Sequence, residues 1–151
     1  MSEVKKEINV QARIKTLDLL SFNAEKRDDD SSTIDPLKIT YEIGINFNAD
    51  TQSTILVFNC LVKIFKEPEK KNLLGSIETK GEFDVLNLQQ IIEEKKGMPS
   101  PMLATFVGLL ISSTRGMLTI LSKATLFEKG VLPIINPSVF FQQALQPINK
   151  V

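Results

Sequence analysis

Glu82 and Asp84 stand two residues apart in LLGSIETKGEFDV, a spacing that puts both carboxylates on one face of an extended strand, where acid–base chemistry could use them. No oxyanion donor or cofactor motif accompanies them. The 151-residue chain has no histidine, which removes Ser-His-Asp and Cys-His nucleophile systems and histidine-bearing zinc sites. It has no G-x-x-x-x-G-K-[ST] or G-x-G-x-x-G run, so ATP or dinucleotide binding has no sequence support. DDDSS at 28–32 has the acidity of a calcium loop, but it lacks glycine at the sixth position and its twelfth, counted from Asp28, is Ile39. It reads as a solvated turn. The single cysteine, Cys60, lies in an apolar run and can form no disulfide within the chain, which suits a reducing, cytoplasmic compartment. The expectation is a protein that is not an enzyme and holds no metal or cofactor.

Charge excludes other classes. The 18 basic and 18 acidic residues cancel, so no overall positive field draws in nucleic acid. The N-terminal MSEVKKEINV alternates charged and apolar residues and lacks the sustained apolar run of a secretory signal. PMLATFVGLLISSTRGMLTILS (101–122) is apolar enough to suggest a membrane span, but Ser112-Ser113-Thr114-Arg115 falls near its middle, where polar groups are costly. The expectation is one domain over 1–151, with 42% hydrophobic residues to build a core and no membrane insertion.

The elements that position these residues follow from hydrophobic periodicity. In the first half the period is two, and four strands emerge. Ile8, Val10, Ala12 and Ile14 share a face of the first. Ile39, Tyr41, Ile43, Ile45, Phe47 and Ala49 alternate through the second. The third, STILVFNCLVKIF, carries Leu56, Phe58, Cys60, Val62 and Ile64 on one side and Ile55, Val57 and Leu61 on the other, which predicts cover on both faces. The fourth runs from about Leu73 to Val85. Short polar connectors at ADTQ and EPEKKN fit hairpins, whereas about 24–36 forms a longer, mobile crossover.

After Val85 the period becomes helical. NLQQIIEEKK is a short helix ended by Gly97 and Pro99. A long helix follows, with Ser100 as its cap and Pro101 in its first turn, and the pattern continues to about Leu126. Its apolar surface is wider than one sheet can cover, and Ala104, Gly108, Ser112 and Gly116 form a ridge of small residues at steps of four. One face is expected on the sheet and the ridge in an interface with another copy of the chain. Arg115, inside this helix, is expected to pair with a carboxylate.

The segment after the helix is unusually apolar for a loop. Leu126, Phe127, Val131, Leu132, Ile134, Ile135, Phe140 and Phe141 surround Gly130, Pro133 and Pro137. A groove walled by such residues can hold extended, unfolded polypeptides without reading their sequence. These eight are the candidate client-binding residues, and 126–148 is read as an apolar loop and last helix, with Asn136 or Ser138 as its cap.

The order of elements and several motifs resemble SecB-type protein-export chaperones over roughly residues 8–144. INVQARIKTLDLLSFNA is similar to that family's opening strand at Arg13-Ile14 and Ser21-Phe22. LLGSIETKGEFDV is similar to its fourth strand at Leu74, Gly81 and Phe83. STRGMLTILSKATLF resembles its main helix, with Arg115 and the closing Ser122-Lys123-Ala124-Thr125, and VLPIINPSVFFQQ its proline-bearing loop and last helix. The resemblance implies an α+β fold, a four-stranded antiparallel sheet covered by a long helix and a shorter C-terminal helix, assembled as a dimer of dimers. It also implies ATP-independent holding of non-native polypeptides and their delivery to the translocase motor SecA. Motor docking would involve Asn23, Leu74 and Ser76, but the family carries glutamates where this chain has Asn23 and Ser76, and an aspartate where it has Leu19. A relative dedicated to one client, such as an antitoxin, is the alternative, with a structural adaptor or a helix-on-sheet enzyme beyond that.

Overall fold

A computed structural model describes residues 11–28, 32–49, 53–67 and 72–139. Four antiparallel strands, β1 (Ala12–Ala24), β2 (Ile39–Ala49), β3 (Ile55–Lys66) and β4 (Leu73–Val85), form one sheet in the order β1-β4-β3-β2. Two helices follow, α1 (Leu88–Lys95) and α2 (Ser100–Leu121). The fold is α+β, and the sequence-predicted sheet is present. Strict alternation sets the register of β2 on β3, which runs from Ile39 opposite Lys66 to Ala49 opposite Leu56 without a shift. β1 is different, because register shifts between Ile14 and Thr16 and between Leu19 and Ser21 break its period against β4.

One face of the sheet is the core. Leu56, Phe58, Cys60, Val62 and Ile64 of β3 are fully buried, as are Ile77 and Phe83 of β4. α2 lays Leu103, Phe106, Val107, Leu110 and Leu118 onto them. Phe106 stacks on Phe83 with ring centroids 4.4 Å apart, and Phe58 meets both rings edge-on at 5.6 and 6.0 Å. Such pairs fix geometry as well as burying area. Within the apolar layer the Thr79 and Thr114 hydroxyls bond each other at 2.8 Å, and Thr114 donates to the Leu110 carbonyl, so these buried polar atoms are satisfied. By length and composition α2 could cross a membrane, but the face formed by these residues is spent on the sheet.

Three expectations need correction. The opposite face of β3 is not covered as expected: Ile55 and Val57 are half-buried and Leu61 is 38% exposed, beside the polar outer face of β4. α2 ends at Leu121, not near Leu126, because Ala124 takes the left-handed conformation at φ 65° and its carbonyl accepts from Arg27 N–H at 2.8 Å. Ser100 does not cap α2; it is the first helical residue, and Pro99 precedes it without a side-chain cap.

The crossover is tied down on both sides of residues 29–31, which lie outside the described residues. Lys26 bridges to Thr125, and Ile34 N–H donates to the Leu126 carbonyl at 2.9 Å. Arg27 also lies 3.5 Å from Glu128.

Candidate functional site

Beyond α2 the chain turns back along the helix. Phe127 and Leu132, each 1% exposed, pin the two ends of this return into the core. Phe127 packs edge-on to Phe22 at 6.4 Å. Between and after them, Val131 is 67% and Ile134 92% exposed. Asn136 caps the next turn by accepting from Ser138 N–H at 3.1 Å, residues 137–139 are helical, and Phe140 and Phe141 lie outside the described residues.

Arg115 fastens this strap. Its Nε donates to the Leu132 carbonyl at 3.0 Å and an Nη to the Pro133 carbonyl at 2.8 Å. The expected carboxylate partner is replaced by two backbone oxygens, because the strap passes beside the helix at this point and its carbonyls there are free to accept. Periodicity placed Arg115 on the helix, but no sequence signal announces a side-chain-to-carbonyl bond seventeen positions away.

The small-residue ridge is split. Ala104 is 7% exposed, and a Cβ on Gly108 would lie 3.0 Å from the Pro137 ring, so the chain's own strap occupies this half in place of a second helix. Ser112 and Gly116 remain exposed, with nothing within 4 Å of a Cβ on Gly116. Between ridge and strap lies a hollow of about 320 Å³ whose walls include Gly108, Leu109, Ile111, Ser112, Arg115 and Ile134. Of the eight client-binding candidates, Phe127 and Leu132 are core residues, while Val131 and Ile134 are exposed and Leu126 and Ile135 half-buried. Leu109 (39% exposed) and Ile120 (69%) add large apolar surface on the outer face of α2, and helical periodicity alone could not tell them from core positions.

The motor-docking candidates lie on β1 and β4, beside the start of the strap at Leu126 and Phe127. Asn23 and Ser76 are cross-strand partners in the β1–β4 ladder, although they are 53 positions apart in sequence. Leu74 is 5% exposed and therefore unavailable as a surface anchor; it lines a separate hollow with Glu25, Ile34 and Leu126.

Glu82 and Asp84 point to the outer face of the sheet, where both are engaged in structural pairs. Asp84 accepts from the Thr54 hydroxyl at 2.5 Å and from Arg13 Nε at 3.1 Å. Those partners, Thr54 first, hold its carboxyl below the usual range. Glu82 lies 3.1 Å from Lys80, whose ammonium lowers its carboxyl in the same way. Among the described residues, no cluster of three metal-ligating side chains forms. Cys60 is fully buried, and desolvation pushes its thiol up to about 11.

The sequence matches no family model and no curated protein. Among solved structures, the chain is similar to a SecB-like chaperone of Mycobacterium tuberculosis determined in complex with a peptide from the HigA1 antitoxin. The two share 16% identity over 82% of this chain and 90% of that chain, with a TM-score of 0.48. It is also similar to a Streptococcus agalactiae protein of unknown function, at 8% identity over 85% of this chain and 100% of that one, with a TM-score of 0.47.

Proposed function

We propose that this chain is an ATP-independent holding chaperone that keeps non-native polypeptides on the apolar surface formed by the outer face of α2 and the strap. One observation carries the reading: Leu109 and Ile134 stay outside the core and line one hollow between helix and strap, and Ile120 and Val131 add exposed apolar surface on the same two elements. The motif resemblance to SecB-type chaperones supports the same job. Holding needs burial of client side chains and no chemistry. Gly116, at the exposed end of the ridge, is the proposed contact with further copies of the chain in a cytoplasmic homo-oligomer, a tetramer in the resemblance.

A chemically unfolded client diluted into buffer without nucleotide should scatter less light when this protein is present. Val131→Asp with Ile134→Asp should weaken that suppression by at least about tenfold, since each large side chain withdrawn from an apolar contact is worth roughly 1.5–3 kcal/mol. Full suppression by the double variant would place the client elsewhere.

Service to one dedicated client is favoured over export. Asn23 and Ser76 sit side by side, and neither supplies the negative charge that would meet a basic motor surface. The dedicated client, an antitoxin or similar segment, would be recognised at the hollow rather than handed on through the β1–β4 edge.

A further inference from the structure

The hollow under the strap has a charge that its surroundings leave unanswered. Among the described residues of its lining, Arg115 is the one that carries a charge. A guanidinium offers five N–H donors, and Arg115 commits two to the carbonyls of Leu132 and Pro133, so five less two leaves three. Those carbonyls orient the group but do not neutralise it, and among the described residues no carboxylate lies within ion-pair distance. The other described residues of its walls, Gly108, Leu109, Ile111, Ser112 and Ile134 among them, bring no charge and few polar atoms. A cation in the wall of a largely apolar hollow favours an occupant that supplies a carboxylate and buries apolar side chains together.

We propose that the hollow is a docking site for an extended polypeptide segment in which an Asp or Glu is flanked by large apolar side chains. The carboxylate would meet the free N–H groups of Arg115, and its neighbours would cover Leu109 and Ile134. The inference rests on the holding reading and deepens it by naming what makes one client preferred. The side chains of residues 140–151, FFQQALQPINKV, include no carboxylate with which to answer Arg115. Arg115 thus acts twice, fixing the strap that forms one wall and selecting the segment that lies between the walls.

The test uses two short fluorescein-labelled peptides, identical except for Leu-Phe-Glu-Ile-Leu in one and Leu-Phe-Gln-Ile-Leu in the other, with binding to the full chain followed by anisotropy. The glutamate peptide should bind about tenfold tighter, and the preference should shrink as salt is added. Arg115→Met should erase the preference. Because that variant also loosens the strap, Ser112→Glu serves as the second: it puts a carboxylate three positions from Arg115 on the same helix face and should cancel the preference with the strap still fastened. Equal affinity for the two peptides, or tighter binding of the glutamine peptide, overturns the inference, and if aggregation is still suppressed the holding reading survives it. Binding of either peptide only after dilution to monomer also overturns it, because a second copy would then be the occupant. Loss of aggregation suppression by the parent protein removes the holding reading itself.

Discussion

Replacing Arg115 with methionine should release the strap without unfolding the sheet. The substitution deletes two charge-assisted bonds, at 3.0 Å to the Leu132 carbonyl and 2.8 Å to the Pro133 carbonyl, and keeps the aliphatic stem that packs along α2. The first bond is part-buried and counts for about 1.5 kcal/mol; the second is exposed, where water replaces it, and counts for about 0.5 kcal/mol. The sum, about 2 kcal/mol, corresponds to roughly a thirtyfold rise in the open population. Leu132 is the reporter, being 1% exposed when the strap is closed. In a Leu132→Cys background the rate of labelling by a thiol reagent reads that opening, while Cys60 stays silent because it is buried with its thiol pushed up to about 11. Arg115→Met should raise labelling about thirtyfold and leave the chemical-denaturation midpoint of the sheet nearly unchanged. Labelling within threefold of the Leu132→Cys parent would mean that the core anchor at Phe127, not Arg115, holds the strap.

Further outcomes follow from the same geometry. Gly75→Ala should destabilise the sheet by about 3 kcal/mol in denaturant titration, since its Cβ would lie 2.6 Å from the Asn23 carbonyl oxygen and 2.9 Å from the Phe127 ring, and the backbone oxygen cannot swing away. Gly116→Leu should leave monomer stability unchanged or slightly raised, because the position is open and leucine is the better helix former, yet it should lower the mass seen by light scattering if copies meet at this half of the ridge. Asp84, with its pKa lowered by Thr54 and Arg13, contributes stability that is present above the ordinary carboxylate range and lost as pH falls through it toward the lowered value. Asp84→Asn should therefore flatten the acid limb of a stability–pH curve. Asn23→Glu with Ser76→Glu should strengthen salt-sensitive binding to a SecA-type motor and leave holding unchanged; tight motor binding by the unaltered chain would show that docking uses other residues.

The four strands could be read from the sequence because burial of one sheet face forces a period of two. In β2 the apolar set from Ile39 to Ala49 never misses, and its ladder to β3 has no shift. The register shifts of β1 coincide with breaks in its alternation, where the apolar phase passes from Ile14 to Leu17 and where Leu19 is followed at once by Leu20. The end of α2 was hidden because Ala124 is a good helix former, and its left-handed conformation goes with tertiary contacts, from Arg27 N–H to its carbonyl and between Lys26 and the adjoining Thr125. The site was half legible. Composition marked 126–141 as too apolar for an ordinary loop, but it could not separate Leu132, which anchors the strap, from Ile134, which the strap displays. That distinction depends on where Arg115 fixes the neighbouring carbonyls. The closeness of Asn23 to Ser76 likewise comes from strand pairing across the whole fold and leaves no local trace.

A photo-crosslinking amino acid at position 134 tests the central claim most directly. Ile134 is 92% exposed on the strap, and Leu37, 90% exposed near the start of β2, is a control of equal exposure and similar character. Incubated with an unfolded client in the absence of nucleotide and irradiated, the protein labelled at 134 should form covalent adducts with the client while the protein labelled at 37 forms few. Equal yields from the two positions, or adducts from 37 alone, would contradict a client surface made by the strap and the outer face of α2.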